Sequence, residues 1–472
     1  MAVKLSDHFT YNKIFKAVVA PILMMIFTSI YGVVDGIFVS NFAQDGAFAG
    51  LNLIYPVIMI VGGVGFMIGT GGSALVSKLL GEQEKERANQ VFSMMVIFTA
   101  IFGAIISIIG SLLIKPIALA LASVGEGNTE NMIKYAIIYG RILMLGQVTF
   151  MLQNLFQSFF VVAEKPQLGF IYTVSAGVTN IILDALFIAV FKWGIVGAAL
   201  ATIAGQIVGG LFPLIYFIKR KDGLIYLVKT KLELKPILKS LGNGSSEFVN
   251  SVSSSVVGMV YNIQLLRYLG EQGVSAYGII MYVQFIFVAI YVGYAIGTAP
   301  IIGYNYGAQN HKELKNVLKK SMIILSALGI IMLTLAEVLA KPLCTIFASM
   351  NPSLLQTAIN GMRIYSIGFL MCGVSIFISS FFTALNNGLV SAIVSMLRTL
   401  VFQLVCVIVL PLILKENGIW LSVVISEILA LLLCLTFLVA NKKKYHYWYW
   451  RYLWKKIIYY WVYHYYYLPH VI

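Results

Sequence analysis

Charged residues are scarce in this sequence, and their scarcity excludes a water-soluble protein. Only 11% of the 472 residues are charged, whereas a soluble domain carries about a quarter. Hydrophobic residues make up 60%, and the mean hydropathy is +0.90. Apolar runs of about 20 residues recur along the chain, the length that a helix needs to cross the hydrocarbon core of a bilayer. Because lipid offers no partners to open backbone groups, we predict an all-α integral membrane protein.

Motifs of enzymes and of metal sites are also missing. The sequence contains no HExxH, no Walker A loop and no Gly-x-Ser-x-Gly, and its five histidines lie outside the apolar runs. Its four cysteines lie within apolar stretches, at spacings typical of neither a zinc site nor a disulfide framework. We therefore predict no enzyme activity, no cofactor and no resident metal. Without an ATP-binding domain, active transport would have to be coupled to a gradient of H⁺ or Na⁺.

The net charge of +15 is distributed as in a membrane protein and does not indicate nucleic-acid binding. Lysine and arginine cluster in every second loop, as the positive-inside rule describes. Both termini are therefore predicted to be cytoplasmic in a multi-pass protein of the plasma (inner) membrane, which requires an even number of spans. The final segment, 441–472, is crowded with Tyr, Trp and Lys. Such a composition favours the headgroup region, so we predict an interfacial cytoplasmic tail.

The apolar runs predict twelve transmembrane helices and an internal repeat. The predicted spans lie near 14–40, 50–79, 91–114, 131–162, 168–191, 196–219, 238–268, 274–304, 318–340, 354–385, 389–413 and 418–440. The second half resembles the first at an offset of about 226 residues. For example, Gly69-Thr70 recurs as Gly297-Thr298, and Lys115-Pro116 recurs as Lys341-Pro342.

The repeat divides the chain into two pseudo-symmetric lobes of six helices each. We predict an N-lobe at 1–218, a basic cytoplasmic linker at 219–237, a C-lobe at 238–440 and the tail at 441–472. Because six is an even number, both lobes enter the membrane in the same sense. They should therefore be related by an axis along the membrane normal, as in several transporters.

Carboxylates within the spans are the most informative residues, since each costs about 2.5–3.5 kcal/mol at the bilayer centre. Asp35 shares one face of the first helix with Tyr31, and Asp184 shares a stripe of the fifth helix with Asn180. Together with Thr202 on the sixth helix, these five residues are our candidates for coupling to H⁺, with Na⁺ at Asp35 and Asp184 as the alternative. The competing interpretation is that they only hold helices together through hydrogen bonds.

Further polar side chains on the predicted spans are candidates for substrate contacts. They are Thr28, Gln153, Asn154, Gln157, Thr173 and Glu247. Glu247 is equally compatible with a second cation site and with a buried structural contact. For Glu427 we favour a structural ion pair with Arg398.

Several segments resemble the multidrug and toxic compound extrusion (MATE) family over about residues 10–440. The resemblance is carried by Thr28-Ser29-Ile30-Tyr31, Val34-Asp35-Gly36-Ile37-Phe38-Val39, Gly81-Glu82-Gln83, Asn180-Ile181-Ile182-Leu183-Asp184, Gly194-Ile195-Val196-Gly197-Ala198-Ala199-Leu200-Ala201-Thr202 and Ile419-Trp420. It implies a V-shaped central cavity between the lobes and export of small cationic amphipathic compounds against H⁺ or Na⁺ entry. By position, Asp35 and Asp184 match the acidic pair of the family's N-lobe, with Tyr31, Asn180 and Thr202 in its hydrogen-bond network.

Departures from the family pattern affect the predicted coupling ion. The seventh helix opens with Gly242-Asn243-Gly244, where the family often has Gly-x-Pro, and the tenth helix has no acidic residue. Both departures argue against a Na⁺ site in the C-lobe and favour H⁺ coupling in the N-lobe. We predict a monomeric antiporter that works by alternating access.

Two other functions remain alternatives at this point. A flippase of lipid-linked sugars would share the fold but often has fourteen helices and a cationic cavity. An intramembrane prenyl transferase would need paired aspartates at a membrane edge, which the sequence lacks.

Overall fold

The computed structural model describes residues 3–43, 46–123, 130–348 and 351–447, and within these ranges it contains helices and no strands. The all-α prediction is confirmed. Helix α1 is Tyr11–Phe42, α2 is Ala47–Gly81 and α3 is Lys85–Ala122. Helix α4 is Glu130–Leu145 with Gln147–Val162, and α5 is Pro166–Asp184 with the π-helical turn Ala185–Val190. Helix α6 is Gly194–Lys219, and α9 is His311–Ala348. The remaining helices lie in Leu234–Gly307, Pro352–Ser366 with Phe369–Ala384, Gly388–Met396 with the π-helical turn Leu397–Phe402, and Gln403–Tyr445.

Two of these helical runs are too long for one span, and each is broken by a residue with positive φ. The run Leu234–Gly307 has 74 residues and turns at Gly270, where φ is 64°. A residue without Cβ adopts this conformation freely, so the run divides into α7 (234–269) and α8 (271–307). Lys415, with φ 52°, similarly separates α11 (388–414) from α12 (416–445). The bent pair Pro352–Ser366 with Phe369–Ala384 is α10. With α4 and α10 each taken as one span, the described residues contain the twelve predicted helices.

The fourth and tenth helices are bent at matching places in the two halves. In α4 the segments meet at Gly146 with a bend of 56°, and in α10 they meet beside Gly368 with a bend of 48°. These glycines are separated by 222 residues, close to the offset of the sequence repeat. The buried apolar side chains also form separate cores, one made mostly of residues 257–447 and two made of the first half. The structure therefore has two similar six-helix halves.

The halves meet closely at the end of the bundle that carries loops 82–84 and 308–310, which we call the basic end. There α2 and α7 touch backbone to backbone, because a Cβ on Gly71 would overlap the carbonyl oxygen of Ser240 and a Cβ on Gly244 would overlap that of Met67. These contacts close the base of the V-shaped cavity between the halves at the basic end.

The predicted linker is an extended segment that is hydrogen-bonded to α3 and does not hang free. Its backbone N–H groups at Tyr226 and Val228 donate to the side chains of Asn89 and Ser93 on α3, at 2.7 and 2.9 Å. Arg87 forms a bidentate ion pair with Glu233 at the linker's end. Helix α7 begins at Leu234, within the range that the sequence assigned to the linker. Of the predicted tail, residues 441–445 continue α12, and 448–472 lie outside the described residues.

Candidate cation site in the N-terminal half

Asp35 and Asp184, 149 positions apart in the chain, are brought side by side between α1 and α5. Asp184 is fully buried and ends the α-helical part of α5, where the π-helical turn begins. Asp35 is partly exposed, and each carboxylate lies in the other's electrostatic environment. Both oxygens of Asp184 and Oδ1 of Asp35 are buried without a hydrogen-bond donor among the described residues. Buried oxygens of this kind require a proton or a cation.

The other three predicted coupling residues surround this pair. Asn180 lies one turn before Asp184 and next to its carboxylate, and its own amide atoms are buried without a partner in the described part of the chain. Tyr31 lies beside Asp35. Thr202 on α6 points its hydroxyl back to the carbonyl of Ala198 at 3.0 Å. The structure thus brings Tyr31 and Asn180 directly to the pair, and Thr202 to Tyr139 beside it. The coupling role of all five residues stays a prediction.

Two glycines allow these helices to approach. A Cβ on Gly177 of α5 would lie 2.9 Å from the ring of Tyr31, and a Cβ on Gly205 of α6 would lie 3.1 Å from Asn180. Both distances are shorter than normal carbon–carbon contacts of about 3.5–4.0 Å. Larger residues at these positions would force α1 and α6 away from α5.

Two tyrosines of the cluster were missed by the sequence analysis. Tyr139 on α4 is 1% exposed and lies near both aspartates and next to Thr202. Tyr55 on α2 is 41% exposed and lies near Asp35 and Tyr31. The only signal for Tyr139 was its repeat match with Tyr365. Tyr55 gave no signal, because an aromatic residue within an apolar run is indistinguishable from a core residue.

This arrangement can hold one monovalent cation or one shared proton. Two carboxylates that share a poorly hydrated site cannot both remain charged without a counter-ion. Amide and hydroxyl oxygens from Asn180 and Thr202 are suitable additional ligands for Na⁺. Among the described residues there is no group of three or more His, Cys, Asp or Glu that could hold a metal ion, so the site does not resemble a transition-metal centre. Asp35 is the partly exposed member of the pair, and Asp184 is fully buried.

Most of the predicted substrate contacts lie inside the first half and not on the open cavity. Asn154 donates to the Gly62 carbonyl at 3.3 Å, and Gln157 donates to the Thr173 hydroxyl at 3.5 Å. Gln153 is likewise buried and lies beside Tyr31. In this conformation these amides join helices to one another, and a substrate would reach them only if the helices moved. Their contact with substrate stays a prediction.

The two remaining substrate candidates are partly exposed and lie in different halves. Thr28 on α1 donates to the carbonyl of Met24 at 2.9 Å within its own helix. Glu247 on α7 lies beside Asn250 and in the field of Arg398. It is therefore a partly exposed carboxylate of the second half, whereas the aspartate pair lies in the first half.

The predicted pair between Arg398 and Glu427 is confirmed. The Arg398 guanidinium donates to both carboxylate oxygens, with its closest approach 2.8 Å from Nη2 to Oε1. Both side chains are buried, and Nη2 also lies 3.2 Å from the sulfur of Cys372. Unlike the aspartates of the first half, Glu427 is neutralised by a fixed partner.

A comparison with known protein families also divides the chain into two halves. A family model described as MatE matches residues 21–186 and again residues 248–409. The chain belongs to the MatE family. The second match begins 227 residues after the first, which confirms the internal repeat. As a member of this family the protein is a multi-pass membrane transporter and not an enzyme.

Similar proteins and solved structures agree with the family. The chain is 27% identical over 378 residues to the multidrug export protein MepA of Staphylococcus haemolyticus, covering 78% of this chain and 82% of that protein. It is 25% identical over 380 residues to MepA of Staphylococcus aureus strain MRSA252, with the same coverages. A crystal structure of MATE in complex with MaL6 superposes with a TM-score of 0.87, at 21% identity, over 94% of this chain and 99% of that one.

A second solved structure has the same fold, and its conformation is stated. It is described as the outward-facing conformation of a multidrug resistance MATE family transporter of the MOP superfamily. It has a TM-score of 0.86 at 22% identity and covers 94% of this chain and 99% of that one.

Proposed function

We propose that this chain is a secondary multidrug efflux antiporter that exports cationic amphipathic compounds in exchange for H⁺ by alternating access. The observation that carries the proposal is the aspartate pair, three of whose four oxygens are buried without a donor in the described part of the chain. The similar staphylococcal proteins are multidrug export proteins, which supports the substrate class. The positive-inside rule places the basic end in the cytoplasm, so the cavity of this conformation opens outwards.

We expect exchange because the proton and the cationic substrate compete for the negative charge of the aspartate pair. Asp35 is partly exposed and Asp184 is fully buried, so a proton that enters from outside reaches the pair through Asp35. A pair that has gained a proton loses its attraction for a cationic substrate, which then leaves. In the inward-facing state the substrate is taken up as the proton is released. Because each ligand lowers the affinity for the other, a proton gradient drives the substrate outwards.

Coupling is proposed for the first half because the described part of the second half shows no equivalent pair of carboxylates. The residue 226 positions after Asp35 is Tyr261, which is buried and stacks on Tyr277 with ring centroids 5.2 Å apart. The buried Glu427 is already paired with Arg398. Glu247 is a partly exposed carboxylate on α7, and we propose it as a second contact for the charge of a bound substrate, in addition to the aspartate pair. We further propose that the protein is a monomer in the plasma membrane.

Dye transport tests the proposal. Ethidium efflux from proteoliposomes is measured for the wild type, Asp35→Asn and Asp184→Asn, under an imposed pH gradient and separately under a Na⁺ gradient. Asp222→Asn is the matched control, because Asp222 is an exposed aspartate in the linker. We expect efflux by the wild type and the control under the pH gradient, and loss of at least 90% of it in both site variants. A folded wild type that moves no dye under either gradient would contradict multidrug export and favour a flippase. Site variants that transport normally would show that the aspartates are structural.

A further inference from the structure

The segment before the first helix, residues 3–10, is packed across the basic end, and we call it the N-terminal strap. Leu5 and Phe9 are 4% and 0% exposed. Both belong to the apolar core of the second half, together with residues of α8 and α9. This burial is unusual for a chain terminus, which is commonly poorly ordered unless something ties it down.

Polar contacts tie the strap to the second half at several atoms. The Phe9 N–H donates to Glu313 at 2.8 Å, and the Phe9 carbonyl accepts from Asn316 at 2.9 Å and from Lys320 at 2.6 Å. His8 contacts the second oxygen of Glu313 at 2.7 Å. Glu313 is 6% exposed, so its carboxylate is held by these donors and not by solvent.

The strap is joined to the first half through α1, which begins at Tyr11, and a hydrogen bond fastens its other end to the same half. The Leu5 N–H donates to Glu164 Oε1 at 2.6 Å. Glu164 lies in the turn between α4 and α5, outside the membrane-spanning segments, with φ 58°. Burial raises the pKa of its carboxyl group, whereas the hydrogen bond from Leu5 opposes that shift. A cavity of about 260 Å³ lies beneath this contact, between Val161 of the first half and Ile301 of the second.

From this geometry we infer that the N-terminal strap is a latch that holds the two halves together at the basic end while the cavity is open at the other end. Glu313 and Glu164 are its positioning residues. Because the strap continues into α1 at Tyr11 and is fastened to Glu164 at its other end, it belongs to the first half. Its contacts with Glu313, Asn316 and Lys320 are those that cross to the second half, so they must release when the basic end opens. The inference rests on the proposed alternating access, in which the basic end must open.

Thiol labelling measures this opening without transport. Ser77 on α2 is 0% exposed, and its Cβ would lie 3.1 Å from a Cβ on Gly303 of α8. Ser77→Cys, in a background with the four native cysteines replaced by alanine, therefore reacts with a maleimide only when the halves separate. We compare this reporter with and without Glu164→Ala and Glu313→Ala. Glu86→Ala is the control, since Glu86 is exposed at the same end.

Glu164→Ala and Glu313→Ala are each expected to raise the labelling rate about tenfold, whereas the control should not. A tenfold change corresponds to about 1.4 kcal/mol in the free energy that separates the closed basic end from the open one. Glu164→Gln keeps an acceptor oxygen for the Leu5 N–H and should label at the original rate. Unchanged labelling in folded Glu164→Ala and Glu313→Ala would overturn the latch. Equal rises in Glu164→Gln and Glu164→Ala would also overturn it. If labelling behaves as expected but the wild type moves no dye, the latch stands and the proposed multidrug export fails.

Discussion

The buried pair of Arg398 and Glu427 makes a prediction about stability that separates a structural role from a functional one. Removing one partner leaves an uncompensated buried charge, which costs about 3–5 kcal/mol. Replacing both with apolar residues of similar volume removes the charges together and is often neutral. We therefore expect Glu427→Gln and Arg398→Met to be strongly destabilised, and the double variant Arg398→Met/Glu427→Leu to melt near the wild type.

The protein carries its own probe for this measurement. All four cysteines are free and buried, so a thiol-reactive fluorescent dye reports unfolding without any added label. The exposed pair between Arg87 and Glu233 supplies the control: Glu233→Gln should melt close to the wild type, because surface pairs contribute little. The double variant should also retain dye efflux. Single variants that melt with the wild type, or a double variant as unstable as either single one, would refute this reasoning.

Three further predictions concern the contact between α2 and α7, a strained residue and the linker. Gly244→Ala should separate α2 from α7 and raise maleimide labelling of Ser77→Cys, whereas Gly258→Ala, whose Cβ meets open space, should not. Lys415→Gly should raise the melting temperature, because it relieves a positive-φ strain of about 1–3 kcal/mol; a lower temperature would contradict this. The hydrogen bond from Arg87 lowers the pKa of Glu233 below 4.5, so the pair supports linker docking above that pH and loses it as the pH falls through the lowered value. Hydrogen exchange of the linker amides should therefore rise in acid, and Arg87→Gln should abolish that added pH dependence.

The helix count and the aspartate pair were predictable because each has a strong local signal. Apolar runs of about 20 residues mark spans directly, and an acidic residue within such a run is costly enough to be informative by itself. That Asp35 and Asp184 are neighbours followed from their polar companions on one helix face and from the family resemblance. The fixed partner of Glu427 was predictable because Arg398 lies well inside a predicted span of the same half, 389–413.

Other features depend on contacts between distant parts of the chain. The bends at Gly146 and Gly368 lie inside apolar runs that look continuous. The docked linker depends on Asn89 and Ser93, which resemble any polar residues at the start of a helix. Tyr139 joins the cation site only because α4 packs against α6. The strap contains no periodic pattern, so its burial follows from pockets that α8 and α9 form around Phe9.

The most direct test of the account is whether substrate binding releases a proton from the aspartate pair. Binding of tetraphenylphosphonium to the purified protein is measured by calorimetry in two buffers that differ in ionisation enthalpy. The account predicts that the wild type releases up to one proton per bound cation, in a pH-dependent manner, and that Asp184→Asn binds with no release. Wild-type binding without proton release at any pH would contradict exchange at this site.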